Sequence, residues 1–356
     1  MNSKTDVDKL IKPITKRVIH FGWVDYARGI AILLVVYRHC LVGLKRAGVE
    51  VSTLLYSVQE FLYNVRMPIF FVLSGVFLST SLKKRGVGQL ISTKAANLLY
   101  PYIIWSVFLI SLQWVFSAYT NSERTARDFL YIVMQPRELD HMWYLLALFN
   151  STVLYLLLSP VLGKNSITHL LLALILHFAS FYLGPWSFFL DIAYHYIFLV
   201  AGAILSDQVS KWESLPTKKN LILLLLVAPV FIAGQLYWLR TIGVNYQTGH
   251  WWEMGPYLLI ILVACFVFYL VSRLLEAWGK IPWLKYIGKH SLYIYIIHIH
   301  IIALVRIVFL KLAKVDNLWY IVPVSMALAI IVPILVFSIV KKHNWHFLFS
   351  YPQKDK

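Results

Sequence analysis

Residues Trp23–Cys40 read WVDYARGIAILLVVYRHC, and this stretch decides the fold. It is long and apolar enough to cross a bilayer, which takes about 20 residues of helix. Yet it carries Asp25, Arg28, Arg38 and His39. Each ionisable group in a membrane helix costs about 2.5–3.5 kcal/mol on insertion scales, so such groups mark either function or a buried partner. Arg28 and His39 are about three helical turns apart and fall on nearly one face, with Asp25 one turn before Arg28. A single helix therefore presents acid, guanidinium and imidazole along one line, running about 16 Å from Arg28 to His39. The plainer alternative is an arginine reaching for the interface beside a histidine capped by a neighbouring helix.

With 356 residues, 60% of them hydrophobic and 16% aromatic, the chain is too apolar for a soluble globule or a disordered segment. Apolar runs near 24–44, 60–80, 95–117, 142–160, 166–183, 186–205, 220–239, 255–273, 288–310 and 318–340 predict about ten spans. The expected fold is all-α, a polytopic membrane helical bundle over 23–342 with polar tails at 1–22 and 343–356. The first run holds charges and lacks a small-residue cleavage site, which predicts a retained helix and not a removed signal. Cys40 and Cys265 both sit in apolar helices, which argues against a disulfide framework or a zinc site, and no metal is expected.

The formal net charge of +17 does not point to nucleic acid, because the basic residues are scattered over short loops. They follow the positive-inside rule: roughly twenty fall on one side of the predicted spans and eight on the other, which predicts both termini in the cytoplasm.

Several later stretches repeat the pattern of polar groups set into apolar helices. The second span contains NVRMPIFFVLSGVFL, where Pro68 should kink or restart the helix and Ser74-Gly75 allows close packing. Arg66 there either holds an anionic group or pairs with Glu60. The loop SLKKRGVGQLISTK holds Lys83, Lys84 and Arg85, either as an orientation signal or as a collar for a polyanion. KAANLLYPYIIW carries Lys94 and Asn97, and HMWYLLALF carries His141, Trp143 and Tyr144 at a helix start. In IGKHSLYIYIIHIHIIALVR, Ser291, Tyr295 and His298 share a face, whereas His300 points away and reads as packing. Asp191 and His195, four apart, can hydrogen-bond each other. His169 and His177 read as packing residues.

DYARGIAILLVVYRH closely resembles the first membrane helix of the acyltransferase 3 family, and its flavour is similar to the fucose 4-O-acetylase-like branch. MPIFFVLSGVF, KAANLLYPYIIW, HMWYLLALF and IGKHSLYIYIIH resemble further boxes of that family, in order. Two positions depart from its pattern: Arg66 stands where a histidine is common, and Asn97 stands where a second arginine is common. The resemblance implies an integral-membrane O-acyltransferase, with an acyl-CoA donor, usually acetyl-CoA, and a carbohydrate acceptor such as a surface polysaccharide or its lipid-linked precursor. The setting it implies is the bacterial inner membrane.

The chemistry agrees with the residue types. Acyl transfer to a hydroxyl needs a base and a positive group for the developing oxyanion, and the polar set is rich in imidazole and guanidinium. His39 is the natural base, with Arg28, Asp25 and His298 as its candidate partners in catalysis. Arg28, Arg66, Lys94, Lys83, Lys84 and Arg85 are the candidate donor-binding residues. His141, Trp143, Tyr144, Ser74, Ser291 and Tyr295 are candidates for the acceptor. A proton-coupled transporter, or a non-catalytic subunit of a glycan-export assembly, is the rival reading.

Overall fold

The structure, a computed structural model, describes residues 21–117, 124–162, 166–184, 186–212, 215–243 and 249–351. Its α-helices are α1 (Gly22–Arg46), α2 (Thr53–Phe61), α3 (Arg66–Arg85), α4 (Val87–Lys94), α5 (Tyr100–Val115), α6 (Trp143–Leu162) and α7 (Ser166–Ala179). They continue with α8 (Ser187–Trp212), α9 (Thr217–Thr241), α10 (Met254–Trp278), α11 (Pro282–Lys289), α12 (Ser291–Ile307) and α13 (Leu318–Lys342). No strand occurs among the described residues. Nine helical stretches among them are long and apolar enough to cross a membrane. The run expected near 166–183 is the one that falls short: Ser166–Tyr182 is a shorter apolar helix. The protein is an integral, multi-pass helical membrane protein.

The helix breaks have local causes. The chain leaves α2 at Phe61 and restarts at Arg66, so Pro68 falls in the first turn of α3, where its missing N–H costs nothing. Pro101 lies inside the long stretch Val87–Val115 and is absorbed by a π turn, Ala95–Leu99. Widening the helix there moves the carbonyls that a proline ring would otherwise strike.

α1 is the buried centre, packed against α3, α10, α11, α12 and α13. Its start lies beside the end of α10, where a side chain on Gly22 would meet the Glu276 carboxylate. Its far end takes a hydrogen bond from Arg306 of α12, Nη1 to the Gly43 carbonyl at 3.2 Å. The tightest seam joins α3 and α8. A Cβ on Gly75 would run into the Leu199 carbonyl, and one on Gly202 into the Val72 carbonyl. Two glycines thus let the backbones touch, as small residues do between membrane helices. α9 and α13 are peripheral and present Leu225, Leu226, Val230, Ile331 and Leu335 outward, as lipid contact requires.

Residues beyond α13 fold back on α5. The Trp105 Nε1–H donates to the Leu348 carbonyl at 2.7 Å, Phe349 stacks on Trp105, and the Ser350 hydroxyl donates to Asn97 Oδ1 at 2.8 Å. The stretch expected as a tail from 343 is therefore docked as far as Tyr351. Residues 1–20 and 352–356 lie outside the described residues.

Candidate active site

At the end of the bundle where α1 finishes, a cavity of about 280 Å3 is lined by residues from α1, the α2–α3 connection, α3, the loop before α6, α8, α10 and α12. His39, His141, Trp143, Tyr295 and Arg66 of the sequence-derived candidates reach it. Three imidazoles cluster beside it: His39 and His141 line the cavity, and His298, which does not, packs against both. The ring centre of His39 is 5.2 Å from that of His298 and 6.2 Å from that of His141, and His141 is 4.9 Å from His298. They come from α1, the loop before α6 and α12.

The hydrogen bonds of two of these rings define their tautomers. His298 Nδ1 lies 3.0 Å from the Ile294 carbonyl and 2.8 Å from the Tyr295 carbonyl. A carbonyl only accepts, so this nitrogen carries the hydrogen and Nε2 is left as a bare lone pair, buried without a partner. In the same way His141 Nε2 donates to the Ile296 carbonyl at 3.2 Å, which leaves its Nδ1 unpartnered. The Tyr295 hydroxyl donates to the His141 carbonyl and anchors this loop to α12. Asp140, just before, has φ 54, a left-handed conformation that few non-glycine residues adopt. That turn is what delivers His141 to the cavity from a chain that has not yet entered α6. His39 itself is half-buried, lines the cavity and makes no side-chain hydrogen bond among the described residues. It is the ring with open access.

One cavity wall was not legible in the sequence. Asp191, fully buried, accepts from Arg137 Nε at 2.7 Å and Nη2 at 2.6 Å, and Arg137 lies 5.0 Å above the Trp143 ring. The expected side-chain bond between Asp191 and His195 does not form. His195 Nδ1 donates to the Asp191 backbone carbonyl at 2.9 Å and sits 3.9 Å from its carboxylate. Arginine 54 positions away in sequence takes the carboxylate, a pairing helical spacing cannot reveal. His195 stacks on Phe71 instead and lines the cavity. Tyr63 and Asn64 are further lining residues that sequence reasoning missed, and Arg38, noted there only as an ionisable group of the first span, lines the cavity too. The only available signal was the Arg38-His39 dipeptide.

Arg28 stands elsewhere. It is about 16 Å from His39 along α1 and interacts electrostatically with Tyr144 and Asp25. Lys94 lies within electrostatic reach of Arg28 and of the exposed Arg85. Arg28, Lys94 and Arg85 therefore form a basic group near the start of α1, with Lys84 exposed nearby in sequence. The side chain of Lys83 lies outside the described residues. Tyr144 connects the two ends: its ring is 5.2 Å from Tyr295, which is 5.2 Å from His141. Asp25, about 21 Å from His39, belongs with Arg28 and not with the imidazoles. Ser74 precedes Gly75 of the α3–α8 seam, and Ser291 begins α12 two turns before His298; neither lines the cavity. His300 packs between Trp105 and Phe108. His169 stacks on Tyr155, and His177 holds the Tyr194 carbonyl. No group of three His, Cys, Asp or Glu able to hold a metal ion occurs among the described residues.

Nodulation protein NolL of Mesorhizobium japonicum (strain LMG 29417 / CECT 9101 / MAFF 303099) is 27% identical over 130 residues, covering 36% of this chain and 34% of that protein. The likeness thus spans about a third of the relative's length. No solved structure matches the chain significantly. Residues 21–341 match the acyltransferase domain family known as acyltransferase 3. Because that match runs from the first residue of the described bundle almost to the end of α13, the chain belongs to the acyltransferase 3 family.

Proposed function

We infer that the protein is an O-acyltransferase of the bacterial inner membrane, carrying an acyl group, most simply acetyl, from acyl-CoA to a hydroxyl of a surface polysaccharide or its lipid-linked precursor. The observation that supports this best is the cluster of His39, His141 and His298 beside a polar cavity lined by the first two, with a separate basic group at the other end of α1. In this reading α1 starts at the cytoplasmic face, as the positive-inside bias of the basic residues predicts, so the basic group faces the compartment where acyl-CoA is made and the cavity opens opposite.

In this mechanism Arg28, Lys94, Arg85 and Lys84 hold the donor phosphates. The pantetheine arm, roughly four or five residue-lengths of chain at about 3.5 Å each, spans the distance toward His39. His39 accepts the proton of the acceptor hydroxyl as its oxygen bonds to the thioester carbon. The carbon–sulfur bond then breaks, and the imidazolium returns the proton to the leaving thiolate. His298, with its Nδ1–H committed to two carbonyls, offers its Nε2 lone pair to the His39 N–H and steadies the imidazolium. His141 Nδ1 is the matching acceptor for the substrate hydroxyl or thiol.

Coenzyme A alone tests the donor half. At 100 times its Kd it should stabilise purified protein by about 2.7 kcal/mol, seen as a rise in Tm. Lys94→Gln should weaken that binding about tenfold, because a desolvated charge–phosphate contact is removed. No shift with wild-type protein would favour a transporter or scaffold. His298→Phe keeps a ring and removes the lone pair. It should lower kcat about 10²-fold with KM for acyl-CoA unchanged, whereas a purely structural role would lower only Tm.

A further inference from the structure

Four guanidinium groups, from Arg38, Arg46, Arg66 and Arg137, line the cavity beside His39, and Asp140 is the only carboxylate among its lining residues. Two are matched: Arg46 pairs with Asp140 at 3.5 Å and Arg137 with Asp191 at 2.6 Å. Arg38 and Arg66 have no carboxylate within ion-pair distance among the described residues. Glu60, the acid closest in sequence to Arg66, acts on Arg38 only at longer range. Instead Arg38 Nη1 donates to Gln59 Oε1 at 3.0 Å, and both guanidinium carbons stand over one ring, Tyr63, at 4.4 and 4.7 Å.

Arg66 is 6% exposed, so its charge is held at membrane depth against neutral partners only. Cation–π contact offsets part of that cost, not all of it. Between these residues Asn64, 5% exposed and lining the same cavity, leaves both Oδ1 and Nδ2 without a hydrogen bond. Two cations without a carboxylate partner over one aromatic ring, and an amide without a hydrogen bond on the same cavity wall, are donors suited to an anion.

The anion does not belong to the donor. The donor phosphates have the Arg28 group, about 15 Å from Arg38 along α1. We propose that the acceptor carries an oxyanion, a carboxylate or a phosphate, which Arg38 and Arg66 bind while Asn64 hydrogen-bonds it, setting a neighbouring hydroxyl against His39. This rests on the acyltransferase reading and adds the substrate class. The volume of about 280 Å3 suits one sugar unit with its charged substituent, being at the small end of ligand pockets. Arg38 and His39 line the same cavity, so an anion anchored by Arg38 holds the sugar in the chamber that the base faces.

The test uses purified full-length protein in nanodiscs and measures Tm with glucuronate, glucose 1-phosphate or glucose, each with and without coenzyme A. Anionic probes should raise Tm and glucose should not. Arg66→Gln should weaken the anion effect at least tenfold, Arg66→Lys should restore part of it, and the coenzyme A shift should persist in both, which reports an intact fold. Preference for glucuronate identifies an acidic sugar; preference for the phosphate identifies a phosphorylated or lipid-linked acceptor. Equal shifts from glucose and the anions, or full anion binding by Arg66→Gln, would overturn the proposal. Anion binding without any coenzyme A effect would instead sink the donor assignment and leave the anion site standing.

Discussion

His39→Ala protein inserts and folds like wild type, yet moves radiolabel from acetyl-CoA to glycan about 10²–10⁴-fold more slowly, the usual worth of a positioned general base. The size follows from the geometry of the three rings. His141 and His298 each spend one ring nitrogen on a backbone carbonyl, and their free nitrogens meet the cluster as acceptors. His39 alone combines access to the cavity with an uncommitted ring. Cys40 cannot substitute, since it points about 100° away and is buried. The assay is transfer in proteoliposomes, with the coenzyme A shift in Tm as the folding control. Retention of full transfer would remove His39 from the chemistry, whatever the donor site does.

Gly75→Val should abolish the folded protein in detergent, or lower its stability by at least about 3 kcal/mol, the upper part of the overpacking range. Neither neighbour can yield. The atoms a side chain would strike at Gly75 and Gly202 are backbone carbonyls of the facing helix, which cannot swing aside like a flexible side chain. The seam also positions chemistry, because α3 begins with Arg66 and α8 carries Asp191 and His195. Gly202→Val should act similarly. Gly88→Ala is the control: nothing lies within 4 Å of the added carbon, so stability should stay within about 0.5 kcal/mol. Thermal unfolding followed by size-exclusion of the soluble fraction separates these outcomes. Normal stability of Gly75→Val would mean that α3 and α8 do not meet as described.

Much of the site was legible because membrane helices advertise their exceptions. His39, His141 and His298 each stand out as imidazoles in or at the mouth of apolar runs, and each reaches the cluster. Arg66 was visible for the same reason, but its partner was not. The sequence left an anionic group and Glu60 as equal alternatives, whereas the structure sets Arg66 over Tyr63, three positions away across the break between α2 and α3. Asn97 reads as a lost cation in the sequence; in the fold it receives Ser350 and docks the C-terminal segment. The Asp191–Arg137 pair was hidden because its members lie far apart in the chain and only one of them is in an α-helix.

Taken alone, the sequence determined an all-helical membrane bundle, nine of its ten expected long apolar runs, and which polar residues share a helical stripe. These follow from local rules: hydrocarbon accepts only apolar runs of a certain length, and helix geometry orders residues by rotation and rise. It could not determine which stripes face each other. That depends on backbone approach at the Gly75–Gly202 seam, on the breaks at Arg66 and Ala95–Leu99, and on the left-handed turn at Asp140. Only those contacts bring His141 and His298 to His39 and place two arginines without a carboxylate partner beside it, since charge pairing is settled by distance in space and not by distance along the chain.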